Sequence, residues 1–307
     1  MLHADLVRGA VRRALAMRLP ELVVVQGNTS SALGGALAAR EAGMVLAHVE
    51  AGLRTYDLTL PWPEEENRII IDRLSDLLFA PTSANAANLR REALRGQIHV
   101  TGNSGIDALA ALVGPLPLRH RRSLWPRLSF GLLVTCHRRE NWGEGLDQLA
   151  EALILLGRQG VRSRVVLPPN AGVAERMILL LDGQTGIRLA PPMGHGATIE
   201  AMRSADLVLS DSGGMQEEAP ALGVPLLVLR EKTERPEGLA DGSVHLIGTD
   251  AERIVAAVNR LRNNRAELNR MRRPRLPFGD GYSARRIAAH CIDYLEARAL
   301  SSESRTA

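Results

Sequence analysis

The chain has 307 residues and a mass of 33.3 kDa, with 45% hydrophobic and 23% charged residues, which is room for two domains of ordinary size. Its formal charge of +4 comes from arginines interspersed with acids, Lys232 being the only lysine, so a solvated mixed surface fits better than a nucleic-acid patch. No apolar run reaches bilayer length, the N-terminus lacks the order of a secretory signal, and Cys136 and Cys291 have no disulfide or zinc spacing; a cytoplasmic protein without a bound metal is the expectation.

The first residues carry arginines along a helical period. Short apolar runs at 22–26, 45–49, 77–80 and 98–100 then read as buried strands with helical stretches between most of them, and a further helix follows at 104–112. Residues 114–129 are rich in Pro and Arg, without a clean period, and read as a linker. A second series of strands is expected at 132–134, 165–167, 187–189, 207–209, 225–229 and 245–247, with clear helices at 145–156 and 251–261. An amphipathic helix over 282–299 closes the chain. Alternation of this kind predicts α/β architecture with parallel sheets. The expected division is an incomplete first Rossmann-like domain at 1–113, the linker, a complete doubly wound domain at 130–275, and a C-terminal helix and tail at 276–307.

Four segments carry candidate chemistry, each at the end of an expected strand or just after it, where ligands of such sheets usually bind. Glu50 ends the second strand, and Glu64 follows a proline-bounded loop that could return it to the same edge. Two carboxylates near one sugar carbon could share acid and base duties. Taken alone, Glu64–Glu66 reads first as a solvated acidic start to a helix. His137, Arg138 and Arg139 follow the first strand of the second domain and suit a phosphate-bearing ligand, while neighbouring Cys136 reads as a packing residue. Asp211-Ser212-Gly213-Gly214, ahead of a helix that carries Glu218, could bring backbone N–H groups to an anion, with Glu218 accepting ribose hydroxyls; a helix cap explains the same string equally well. Arg235 is the charged residue of the fourth segment best placed to reach a ligand, and its bland alternative is a surface salt bridge to Glu231 or Glu237.

Taken together the motifs are more specific. GNT at 27–29, HVEAGLRT at 48–55, PWPEEENR at 61–68, TGNSGIDAL at 101–109, HRREN at 137–141, DSGGMQEEAP at 211–220, ERPEG at 234–238, GTD at 248–250 and PFGDG at 277–281 closely resemble the non-hydrolysing UDP-N-acetylglucosamine 2-epimerase family, almost end to end. The resemblance implies two Rossmann-like domains of GT-B-like architecture and no redox cofactor. It implies a UDP-sugar substrate, UDP-GlcNAc and UDP-ManNAc being interconverted by elimination and re-addition of UDP, and a homodimer. It maps the family's catalytic groups onto Glu50, Glu64 and His137, and its substrate contacts onto Ser212, Gly213, Gly214, Glu218 and Arg235; Asn28 and Arg138 join them as binding candidates. Relative to the family, the first domain is expected to lack its opening strand and Gly-Thr-Arg-Pro-Glu turn. Asn28 stands where the family has aspartate, so no carboxylate is available there. Pro168-Pro169-Asn170 replaces a Pro-Val-His segment, and Met193 and Thr198 stand on the nucleobase side where Gln and Phe are usual. A nucleotide-binding homologue without turnover and a glycosyltransferase of the same fold are the competing readings.

Overall fold

The computed structural model describes the backbone of residues 2–116 and 130–306, so most of the expected linker lies outside the described residues. The chain divides into two compact units: Met1–Ala110 with Phe278–Ala307, and Ala111–Pro277. Each is an α/β unit built on a parallel sheet.

The first unit opens with α1 (Leu2–Arg18), then alternates β1 (Leu22–Gln26), α2 (Ser30–Glu41), β2 (Val45–Val49), α3 (Glu64–Leu74), β3 (Leu77–Ala80), α4 (Ser83–Arg91), β4 (Gln97–Val100) and α5 (Ser104–Val113). Its strands lie side by side in chain order, β1-β2-β3-β4. Thr29 and Thr82 cap α2 and α4 by accepting from the backbone N–H groups of Ala32 and Asn85. At Gly34 a β-carbon would lie 2.5 Å from the Ala4 carbonyl oxygen, so this glycine lets α1 close onto α2. The central strands β2 and β3 are buried throughout.

The second unit runs β5 (Gly131–Thr135), α6 (Glu144–Arg158), β6 (Arg162–Val166), α7 (Ala171–Leu181), β7 (Ile187–Ala190), α8 (His195–Ser204), β8 (Leu207–Ser210), α9 (Met215–Leu222), β9 (Leu226–Val228), α10 (Glu237–Ala240), β10 (Val244–Leu246), α11 (Ala251–Asn263) and α12 (Arg265–Met271). Strand order is β10-β9-β8-β5-β6-β7, so the winding direction reverses between β5 and β8. Leu132, Val134, Val165 and Leu209 pack against Leu146, Leu149 and Leu153 of α6 and Ile254 and Val258 of α11. The last helix, α13 (Ser283–Thr306), returns to the first unit, where Ile287 and Cys291 cover Ala47, Val49, Leu77 and Phe79.

Where boundaries differ from expectation the cause is local. Strand β6 starts at Arg162 rather than 165, because Arg162 and Arg164 alternate with buried Ser163 and Val165 and break up the apolar run. Pro225 falls outside β9, having no N–H to give to the ladder. Among the described residues no helix is long and apolar enough to cross a membrane.

Candidate functional site

In the second unit the site forms at the β5/β8 reversal, where the two strand-end loops meet. Asp211, fully buried, organises it. One oxygen accepts from the backbone N–H groups of His137 (2.9 Å) and Arg138 (2.8 Å) and from Asn141 Nδ2 (3.0 Å). The other lies 3.2 Å from Nδ1 of the half-exposed His137 imidazole, without a hydrogen bond between them. Asp211 is therefore no helix cap: the N-cap of α9 is Gly214, without a side-chain capping bond. The cap explanation of the Asp-Ser-Gly-Gly string fails, because the carboxylate is used on the loop after β5 instead.

Cationic groups converge on the turn. A β-carbon at Gly213 would lie 2.9 Å from Arg235 Nη1 and 3.2 Å from Arg138 Nη2, so any side chain here would push both guanidinium groups from their places beside this backbone. Arg235 is 7% exposed and donates to Glu217 at 2.6 Å and to Glu234. Arg235 is thus held by buried acids rather than by a pair on the surface. Glu234 also takes Arg230 Nη1 at 2.9 Å, and Arg138 Nη2 stands 3.9 Å from it. Ser212 lies between Asp211 and Gly213 with its N–H on Ser210 Oγ at 3.0 Å.

Glu218, on the first turns of α9, faces His195 Nε2 at 2.6 Å. Burial pushes its carboxyl above the ordinary value, and the hydrogen bond and charge of His195 only partly offset this. Cys136 is 1% exposed; burial and the adjacent Asp211 charge push its thiol well up, which suits packing and not nucleophilic chemistry.

In the first unit the candidates collect at the ends of β1 and β2 under α3. Glu50 takes φ +73°, a left-handed backbone uncommon for any residue with a β-carbon, and accepts from Asn103 Nδ2 at 3.3 Å. Gly27, also left-handed, would place a β-carbon 3.2 Å from Glu50 Oε2. Asn28, with its amide oxygen turned to Arg68, accepts from Nη2 at 2.6 Å and Nε at 3.2 Å, and its carbonyl accepts from Asn67 Nδ2 at 2.9 Å. Glu64 opens α3, directly after the Trp62–Pro63 peptide. The solvated reading of the acidic helix start fails for Glu65, which is fully buried and accepts from the N–H groups of Thr55 and Tyr56 at 2.9 Å each.

Asn28, Glu50, His137, Arg138, Ser212, Gly213 and Gly214 thus follow strand ends, Glu64 and Glu218 lie on the first turns of helices, and Arg235 lies in the loop between β9 and α10. Within the first unit Asn28 and Glu50 share one strand edge; within the second, Arg138, Gly213 and Arg235 form one cluster, with His137 beside it. Roles not anticipated belong to Asp211, His195, Asn103 and Arg68, whose partners are distant in sequence. Only the spacing of Glu64, Asn67, Arg68 and Asp72, which places them near one face of α3, announced part of this. Among the described residues no group of three or more His, Cys, Asp or Glu could hold a metal ion.

Comparison with known proteins is consistent with this geometry. A family model described as UDP-N-acetylglucosamine 2-epimerase matches residues 5–291. The chain is 41% identical over 279 residues to the UDP-N-acetylglucosamine 2-epimerase of Salmonella typhimurium, covering 87% of this chain and 74% of the relative. For the Escherichia coli enzyme of the same name identity is 39% with the same coverage. Among solved structures, that of Neisseria meningitidis UDP-GlcNAc 2-epimerase bound to UDP-GlcNAc is similar with TM-score 0.87 and 32% identity, over 94% of this chain and 81% of that one. A Listeria monocytogenes structure matches with TM-score 0.86 and 34% identity, over 96% and 79%.

Proposed function

The chain belongs to the UDP-N-acetylglucosamine 2-epimerase family, and on that premise we propose that it interconverts UDP-GlcNAc and UDP-ManNAc. The observation that carries this is the turn at the β5/β8 reversal, where Arg138 and Arg235 flank the Gly213 backbone. Guanidinium forks and free N–H groups at a helix start are chemistry for a diphosphate. Glu218 is the group for the ribose hydroxyls, and His137, whose backbone N–H is held by Asp211, serves the departing diphosphate.

In the forward reaction a base takes the C2 proton, its electron pair forms the C1–C2 double bond, and the C1–O bond breaks so that UDP leaves with the bonding pair. Protonation of the resulting 2-acetamidoglucal at C2 from the other face, with UDP returning to C1, gives the epimer. Glu50 and Glu64 are the acid–base groups. Asn28 cannot ionise, so it contributes only hydrogen bonding beside Arg68. Free buried Cys136 and Cys291 suit a reducing, cytoplasmic setting. A homodimer is part of the same proposal, checked by mass in solution.

The test is to incubate the purified chain with UDP-GlcNAc in deuterated buffer. Appearance of UDP-ManNAc with deuterium at C2 supports the proposal. UDP binding without exchange marks a nucleotide-binding homologue, and UDP release only when an acceptor sugar is added marks a transferase.

A further inference from the structure

Asp72, on α3, has no part in the chemistry assigned above, yet it is a fully buried carboxylate. Its Oδ1 lies 2.6 Å from His48 Nδ1, and its Oδ2 accepts from the Gly52 N–H at 3.2 Å and stands 2.7 Å from Arg54 Nη1. Arg54 in turn makes a paired contact with Glu92, at 2.7 and 2.9 Å. His48 is also fully buried, and its Nε2 faces the Gly27 carbonyl at 2.9 Å. Burial alone would raise the Asp72 carboxyl, but the charges and hydrogen bonds of His48 and Arg54 outweigh it and hold the group below its ordinary value.

These contacts bracket Glu50. On one side of it Asp72 holds the His48 side chain, on the other the Gly52 backbone. His48 also fixes the Gly27 turn, which donates to the Val49 carbonyl at 3.0 Å and where an added β-carbon would stand 3.2 Å from the Glu50 carboxylate. Glu50 itself is in the left-handed region, where a residue with a β-carbon stays only when its surroundings determine it. The same helix that supplies Asp72 begins with Glu64 and grips Asn28 through Asn67 and Arg68.

We propose that Asp72 and His48 are positioning residues for the epimerisation, clasping the strained Glu50 turn and tying it to the helix that presents Glu64. The inference rests on the reading of Glu50 as an acid–base group. An ion-pair network that merely stabilised the fold would change how much protein is folded; a clasp changes the rate of the folded enzyme.

The experiment compares full-length Asp72→Asn, His48→Gln, Glu50→Gln and, as a packing control, Ile71→Val on the same helix. Each is assayed for kcat, KM, deuterium entry at C2 and UDP affinity, at a temperature where circular dichroism shows it folded. The expected result is a kcat loss of about 10- to 100-fold in Asp72→Asn, the scale set by small misplacements of reacting groups, with KM and UDP affinity within about two-fold and the control unchanged. His48→Gln, which keeps one donor for the Gly27 carbonyl, loses less; should Asp72→Asn fail to fold, this variant alone decides. Near-wild-type kcat in both, with Glu50→Gln inactive, overturns the clasp and leaves the Glu50 assignment standing. Full turnover by Glu50→Gln overturns the assignment and the clasp with it.

Discussion

The two units solve opposite electrostatic problems. The second gathers cations and holds them with buried acids: Glu217 and Glu234 on Arg235, Asp211 under the His137 loop. The first gathers half-buried carboxylates and an amide, and holds them with a network anchored two turns away on α3. On the proposed function, a ligand in the second unit would replace contacts that the acids already make, so affinity would be set there. In the first, the backbone around Glu50 is fixed in advance, so on the same proposal rate would be set there.

That division can be broken by experiment. Its largest consequence is that Glu64→Gln lowers kcat by about 10²–10⁴-fold, the range for loss of an acid–base group, and leaves UDP affinity nearly intact. A parallel fall in UDP affinity, read by calorimetry, would abolish the distinction between the units. Next, Arg235→Ala removes a charge-assisted donor and weakens UDP binding by about 10- to 100-fold. Unchanged affinity would mean that Arg235 serves its acid partners and not the ligand. Smaller again is Gly213→Ala, whose β-carbon would meet Arg235 Nη1 at 2.9 Å. It should weaken UDP several-fold with little change in Tm, and a variant that binds UDP normally places the diphosphate elsewhere.

The first unit also has a pH signature. The folded-state value of Asp72 is depressed below 3.8, so its contribution to stability is fully present above that pH and lost as pH falls through the folded value. Urea titrations should show the wild type's advantage over Asp72→Asn constant from neutral pH down to the ordinary carboxylate range and shrinking below it; an advantage that does not change with pH rules out an ionised Asp72. The smallest effect is at Cys136: with a raised thiol value and 1% exposure it should resist iodoacetamide in the native state, and rapid labelling would contradict its packing role.

How far the sequence could be read follows the same contrast. In the second unit β5 and β8 are contiguous apolar runs, and the candidate groups come directly after them, so the strand-end positions of Ser212, Gly213, Gly214 and His137 were legible. The first unit's site depends on contacts between residues far apart in the chain. Asp72 and His48 are 24 positions apart, and nothing in either local string shows that they touch. Arg235 was legible as a cation, but its buried partners were not, since Glu217 lies 18 positions upstream on another helix. Glu65 looks no different from Glu64 and Glu66 in sequence; only the backbone of Thr55 and Tyr56 separates it from them.

The return of α13 has a consequence for how the protein is made. The apolar face of Ala47, Val49, Leu77 and Phe79 is covered by Ile287 and Cys291, the other end of the chain. During synthesis the second unit, continuous in sequence, is complete before those residues leave the ribosome, while the first waits with its sheet open. The half of the chain translated first is therefore the last to mature, and nascent chains stopped before residue 283 should sediment or recruit holdase chaperones.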